Sequence, residues 1–194
     1  EHYYQVNSAP LYWKNQGKEI GNIVLLHDIT ELTRTMQERE RLIGALKNTQ
    51  SELEVLATTD ALTSLFNRRF FYQEAEQEFE RSARYQRPLS VIMLDVDHFK
   101  RINDHHGHAV GDQILCAIAD TLKGSVRNVD LLARFGGEEF IVLLPETGQP
   151  EALCLAERIL NRVKACAVLY EGKRIATTIS AGIASIGEDA GSLE

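Results

Sequence analysis

The chain has 194 residues, 44% of them hydrophobic and 25% charged, and a formal net charge of −7. This is the balance of an ordinary globular protein, long enough for one domain of usual size plus something smaller. It excludes a non-specific nucleic-acid binder, which needs a basic face, but not a nucleotide substrate, whose phosphates a metal ion neutralises locally.

In chain order, residues 1–28 read as two or three strands. A hairpin turn is expected around Asn15-Gln16-Gly17, and 23–26 form a short apolar strand. So little strand closes no core of its own, so this is the tail of a domain whose front is absent. From 28 to 57 there is no proline. Ile29, Leu32, Met36, Ile43, Leu46 and Leu53 recur at alternating three- and four-residue spacings, with Arg39 and Gln50 at the two remaining seam positions. The pattern predicts a helix of about 42 Å. Its narrow seam suits a partner helix in a parallel two-stranded coiled coil better than a broad core, and polar seam residues fix register.

Residues 58–194 read as globular. An amphipathic helix is predicted over 69–85, then a strand after Pro88 that is strongly apolar over 91–94. A helical stretch follows, interrupted near Gly107 and restarting near Val110. In "LLARFGGEEFIVLLP" two apolar runs flank Gly136-Gly137, which reads as a tight hairpin turn. The second run, 140–144, is apolar throughout and so is a central strand buried on both faces. A helix over 150–169 and a strand in "RIATTISAGIASI" complete the order strand, helices, strand, strand, helix, strand. That order is an α+β fold, a ferredoxin-like split βαβ antiparallel sheet with helices on one face.

Cys116, Cys154 and Cys166 are odd in number, widely spaced and set in apolar helical patterns. They read as reduced core residues of a cytosolic protein. No apolar run reaches the roughly 18 residues of a membrane helix, and no signal peptide is visible. The expectation is a cytoplasmic piece of a longer chain, tethered to a membrane only if an upstream segment does so.

Asp95 and Asp97 end the first globular strand two residues apart, hence on one face. In a split βαβ sheet that strand and the Gly-Gly hairpin are neighbours, which brings Asp95 to Glu138. Converging carboxylates repel unless a cation joins them, and oxygen-only ligands point to Mg²⁺ or Mn²⁺ rather than zinc. On position alone, a solvated strand end and a capped hairpin remain an equal alternative. His105, His106 and His108 do not make a zinc site: their spacing spoils a common helical face, no cysteine is near, and the local glycine implies a loop.

"RFGGEEF" resembles the signature of the GGDEF family of diguanylate cyclases in its Gly-Gly-Glu-Glu-Phe form. "DALTSLFNRRFF", "LDVDHFKRINDHHGHAVGD", "ARFGGEEFIVLLPET", "LAERI" and "TISAGIAS" are similar to the family's successive motifs, in order, over about 60–186. The first segment, ending in "GNIVLLHDITE", more faintly resembles the end of a PAS sensor domain. The resemblance divides the chain into a PAS-like fragment (1–28), a coiled-coil signalling helix (29–57) and a palm-like cyclase domain (58–194).

The resemblance implies that a homodimer joins two GTP into cyclic di-GMP with release of two pyrophosphates, using two Mg²⁺ or Mn²⁺ per active site. Asp95, Glu138 and the backbone carbonyl of Val96 are then metal ligands. Glu139 is either a ligand or a base near the attacking 3′-hydroxyl. Asp97 is a strand-end cap or a further ligand. Gly136 and Gly137 let the triphosphate approach the turn, and the amides of His98, Phe99 and Lys100 suit an anion. Asn103 and Asp112 read guanine, the carboxylate accepting N1–H and N2–H₂, which favours GTP over ATP; both residues also suit helix caps. Arg127 and Asp130, in "RNVD", fall in the family's inhibitory product site, with Arg158 as a secondary arginine that meets product from a neighbouring domain. As a bare pattern this RxxD means nothing; its register against Gly136 raises it. The family then continues into a helix bearing a Lys and an Arg that grip the triphosphate, and a last strand. This sequence stops at Glu194, so both are expected to be missing. The alternatives are a non-catalytic cyclic di-GMP receptor using the RxxD site, and a cyclase taking ATP.

Overall fold

The structure is a computed structural model that describes residues 2–12 and 19–186. The chain divides into two compact units, 1–53 and 54–194.

In the first unit, strands β1 (Tyr4–Tyr12) and β2 (Glu19–Asp28) pair antiparallel, Tyr4 opposite Asp28 and Ala9 opposite Ile23. The Asn15-Gln16-Gly17 turn lies outside the described residues. Helix α1 (Thr30–Thr58) follows at once. Asp28 accepts from the Thr30 amide (2.9 Å), the Tyr3 amide donates to Thr30 Oγ1 (2.8 Å), and the Ile29 amide donates to Tyr3 O (2.9 Å). Thr30, through its hydroxyl and its amide, holds the Asp28 carboxyl below its ordinary range. Along α1 the residues of the expected seam, Leu32, Met36, Ile43, Leu46 and Leu53, are exposed on the single chain. No helix among the described residues is long and apolar enough to cross a membrane.

The second unit holds β3 (Phe66–Asn67), α2 (Arg68–Tyr85), β4 (Leu89–Val96), α3 (Phe99–His106), α4 (His108–Lys123), β5 (Leu131–Arg134), β6 (Glu139–Pro145), α5 (Gln149–Ala165), β7 (Val168–Tyr170), β8 (Lys173–Ile175) and β9 (Ile179–Ile186). The main sheet runs β3-β5-β6-β4-β9. Its last four strands are antiparallel neighbours in the split βαβ order. The short β3 adds a parallel edge beside β5, making the sheet mixed. The expected neighbours, β4 and the β5–β6 hairpin, are adjacent at the sheet centre.

Strand alternation divides the core in two. Ile92, Leu94 and Val96 of β4, with Phe140, Val142 and Leu144 of β6, pack against α3, α4 and α5 through Phe99, Ile114, Leu115, Ile118 and Ile159. Each such fully buried side chain contributes about 1.5–3 kcal/mol. The other set, Leu89, Ile141 and Leu143 with Val91 and Met93, meets Phe71 and Ala75 of α2. Helices therefore cover both faces, not one: α2 shields the second face of strands too apolar to leave one side wet.

Two boundaries also differ from expectation. The helix predicted over 150–169 ends at Ala165. Residues 168–175 instead form the β7–β8 hairpin, turning at Glu171 and Gly172, both with positive φ (48° and 75°). Of the three cysteines, all free, Cys116 and Cys166 are half-buried and Cys154 is exposed, so Cys154 is not a core residue. The break near Gly107 falls where expected. Its φ of 83° is open to glycine at little cost, and it separates α3 from α4.

Candidate active site

The candidate site forms where β4 ends and the β5–β6 turn begins. Asp95 is the direct cross-strand partner of Glu139, and the Val96 amide donates to the Glu138 carbonyl at 3.2 Å. Asp95 shares the face of Val91 and Met93; it and Glu139 are exposed, and Glu138 is half-buried. Like charges directly opposite on a sheet are destabilising. Among the described residues no Lys or Arg forms an ion pair with any of the three. Asp95 and Glu139, opposite each other without a protein cation, and the main-chain carbonyls of the strand end offer oxygen donors of the kind a hard divalent ion takes. No group of three or more His, Cys, Asp or Glu is placed to hold a metal among the described residues. Asp95, Glu138 and Glu139 are therefore not gathered into one three-carboxylate cluster, and main-chain oxygen would have to complete any donor set there.

Neither glycine of the turn has positive φ, so the pair is not a mirror-image turn demanding glycine for its dihedrals. At Gly136 the matter is space, and what occupies it is the tip of a side chain. A Cβ there would collide with Glu139 Oε2 and lie 3.2 Å from its Cδ, while around Gly137 there is open space. The amides of Phe135 and Gly136 both donate to Glu139 O (2.8 and 3.2 Å). Glu139 thus folds over its own turn.

Asp97 is engaged otherwise. Thr178 Oγ1 and Ser180 Oγ each donate to one of its carboxylate oxygens, the latter at 2.7 Å, and its amide donates to Thr178 O. These bonds, Thr178 first, hold its carboxyl below the ordinary range. They tie the end of β4 to β9, which is the strand-capping role.

Past Asp97 the chain passes through His98, in the left-handed region (φ 56°), into α3, which has no side-chain N-cap. Phe99 is only 7% exposed, so just its amide, with those of His98 and Lys100, is left to meet an anion. Asn103 lies on α3 and the exposed Asp112 on α4. Asn103 Oδ1 is buried without a hydrogen-bond partner and lies against Gly111, where any Cβ would strike it. A buried, unsatisfied amide oxygen costs about 1–3 kcal/mol, which a ligand donor would relieve.

Arg127 and Asp130 close on each other through main chain. The Arg127 amide donates to Asp130 Oδ2 (2.7 Å), and the Asp130 amide to Arg127 O (3.1 Å). They line a cleft of about 330 Å³ together with Thr147, Cys154 and Arg158, and Asp130 Oδ1 is a second buried oxygen without a partner. Arg158, expected to act from a neighbouring domain, lines the same cleft and donates to Ser125 O (2.8 Å).

Sequence reading missed the tether of the turn. Arg134 donates to Gly137 O (2.6 Å) and to both carboxylate oxygens of Asp60 (3.1 and 3.3 Å). Burial raises the pKa of Asp60, but donors from Thr63 and Arg134 outweigh it and the net shift is downward. Arg68 also stacks over Phe135, 4.7 Å from its centroid, with Phe71 and Tyr72 against the same ring. Both "DALT" and "ARFGG" carry this signal, but partners 74 residues apart are not legible as a pair.

Comparison with known proteins gives a consistent picture. The family described as "Diguanylate cyclase, GGDEF domain" matches residues 57–194. Diguanylate cyclase A of Treponema denticola is 37% identical over 166 residues, covering 84% of this chain and 45% of its own. Diguanylate cyclase DgcP of Pseudomonas aeruginosa is 45% identical over 136 residues, covering 70% and 20%. The chain thus spans less than half of either relative. Among solved structures, the coiled coil and GGDEF domain of DgcB from Caulobacter crescentus, in complex with c-di-GMP, superposes with a TM-score of 0.74 at 26% identity, covering 81% of this chain and 84% of that one.

Proposed function

Because this chain belongs to the GGDEF family of diguanylate cyclases, we propose that it condenses two GTP into cyclic di-GMP and two pyrophosphates. The observation that carries this reading is the register setting Asp95 against Glu139 and Val96 against Glu138 with no protein cation between the carboxylates. In each half-reaction the 3′-oxygen of one GTP attacks the α-phosphorus of the other. A P–O bond forms, the bond to the β-phosphate oxygen breaks, and pyrophosphate leaves with the electron pair. Two copies of the chain, each bringing one GTP, face one another for this, and α1 holds them as a parallel coiled coil.

Asp95, Glu138 and the Val96 carbonyl would hold two Mg²⁺ or Mn²⁺ ions. Bound there, the ions supply neutralisation of the charge that develops on the phosphoryl oxygens. Glu139, folded over Gly136, either completes that donor set or takes the proton of the attacking hydroxyl. The amides at the start of α3 bind phosphate; Gly137, with open space around it, leaves its side of the turn bare for the triphosphate, and Gly136 does so once the Glu139 carboxylate moves aside. Asn103 Oδ1 and the Asp112 carboxylate accept from the guanine edge. The cleft of Arg127, Asp130 and Arg158 takes cyclic di-GMP as a feedback inhibitor, with arginine forks for its phosphates or guanines. The domain works in the cytoplasm, regulated through helix α1.

The orphaned Asp130 oxygen and the two arginines also favour a second reading, a cyclic di-GMP receptor without catalysis. Incubation with GTP and Mg²⁺, with ATP in parallel, and chromatography of the products separates the two. Cyclic di-GMP from GTP alone is expected, and none from Asp95→Ala or Glu138→Ala, whose folds stay nearly intact. Near-normal turnover in either variant overturns the site. No product from the parent chain, with saturable binding of added cyclic di-GMP, establishes the receptor.

A further inference from the structure

The chain is acidic overall, yet one cleft is cationic. It opens between α3, the end of α5 and the 175–178 segment leading into β9, with a volume of about 520 Å³. Arg101, His105 and His106 line it from α3, His98 from the turn before that helix, and Lys164 from the last turn of α5. Among the described residues neither Arg101 nor Lys164 has a carboxylate within ion-pair reach. The one acidic group in the lining, Asp97, is held by the Thr178 and Ser180 hydroxyls and keeps its charge, so the two permanent cations exceed it by one. Two permanent cations without an ion-pair partner, from different helices, thus line one cleft together with three imidazoles, a lining that suits an anion.

We propose that this cleft is an accessory polyphosphate site, formed chiefly by Arg101 and Lys164, and that its occupant is inorganic pyrophosphate. Cations converging from two helices favour a ligand that carries charge at both ends, and a guanidinium fork matches phosphate oxygens. The cleft exceeds what a single phosphate fills. It borders the Asp97–His98 turn, and the guanine-side residue Asn103 is absent from its lining. Pyrophosphate held here would bridge α3 to α5 beside the strand that carries Asp95. The choice of pyrophosphate as the natural anion rests on the cyclase reading, since that reaction releases it. The site itself does not.

The test is calorimetric titration of this chain with pyrophosphate in EDTA, which removes any binding through divalent metal at Asp95 and Glu138. Saturable binding is expected in the parent chain and equally in Asp95→Ala. It should be weaker by about tenfold or more in each of Arg101→Ala and Lys164→Ala, as loss of one charge-assisted contact requires. Both residues are exposed, and melting curves check that the variants stay folded. Absence of saturable binding in the parent overturns the proposal, as does binding lost in Asp95→Ala but kept in the two cation variants. Inorganic phosphate binding as tightly as pyrophosphate would show a single-phosphate site and overturn the polyphosphate assignment; GTP binding more tightly through the same two residues would overturn the choice of occupant. Because no turnover is measured, a failed cyclase assay and a failed titration remain distinct results.

Discussion

Replacing Arg134 by alanine tests how the catalytic turn is held. The guanidinium is 14% exposed and its partner Asp60 24% exposed, so the pair is neither fully screened nor fully desolvated. The substitution removes two charge-assisted bonds to Asp60 and one to Gly137 O. Bonds to charged groups are worth about 1.5–3 kcal/mol net. Asp60 keeps the Thr63 amide (2.9 Å) and hydroxyl (2.7 Å) as donors, which limits the cost of stranding it. A loss of about 2 kcal/mol follows, or roughly 6–10 °C in melting temperature for a domain of this size. The folded-state pKa of Asp60 lies below its unfolded value near 3.9. Its contribution is therefore present above about pH 4 and lost as pH falls through the folded pKa. The gap between parent and variant should hold from pH 7 to 5 and shrink below about 4. Circular-dichroism melts of Arg134→Ala, Asp60→Asn and the double variant at several pH values give the coupling energy. Additive effects at pH 7, with zero coupling, would refute the tether. Synthesis of cyclic di-GMP should fall in Arg134→Ala even below its melting range, because the freed Gly137 carbonyl loosens the turn carrying Glu138.

Three further outcomes are expected. Gly136→Ala pushes the Glu139 carboxylate off the turn, so turnover should drop at least about tenfold with little change in melting temperature; an unchanged kcat counts against a role for Glu139. Leu46→Glu places a charge on the exposed seam of α1 and should convert dimer to monomer in sedimentation, with lower specific activity at low concentration; an unaltered dimer removes the coiled coil. Arg127→Ala should weaken product binding about ten- to a hundredfold. Its progress curves should stay straight as cyclic di-GMP accumulates, and inhibition equal to the parent's leaves RxxD as a surface turn.

Much of the catalytic unit was legible because it rests on local apolar periodicity. The all-apolar run 140–144 is buried throughout, and Gly107 breaks the helix where the pattern falters. That the acidic strand end and the acidic turn are neighbours was legible from the topology, while reading them as a metal site needed the family resemblance. What was hidden had other causes. Val168 and Leu169 continue the helical pattern of α5, so the β7–β8 hairpin was masked, although Glu171-Gly172 is a turn pair. The burial of Val91 and Met93 against α2 was implied by their apolarity but not drawn. Gly136 was read for the close approach of triphosphate, and its contact with the Glu139 carboxylate, which no spacing reports, was missed. The Arg134–Asp60 pair and the cleft between Arg101 and Lys164 join residues far apart in sequence, which periodicity does not report.

The contact of Asn103 with Gly111 constrains how this protein can diverge. Every substitution at Gly111 adds a Cβ, and the first atom it meets is the amide oxygen proposed to read the base. Drift at 111 is thus paid for at 103, and a change at 103 to a shorter side chain is what would release 111. The two positions are coupled: a residue larger than glycine at 111 needs the Asn103 amide to move, and Phe99, 3.1 Å from the same Cβ, crowds it further. On the proposed roles, a lineage moving toward another base by way of 111 would cross a stage that reads guanine through Asp112 alone. Within that family, guanine preference would then persist less because it is optimal than because the path away from it begins with a loss.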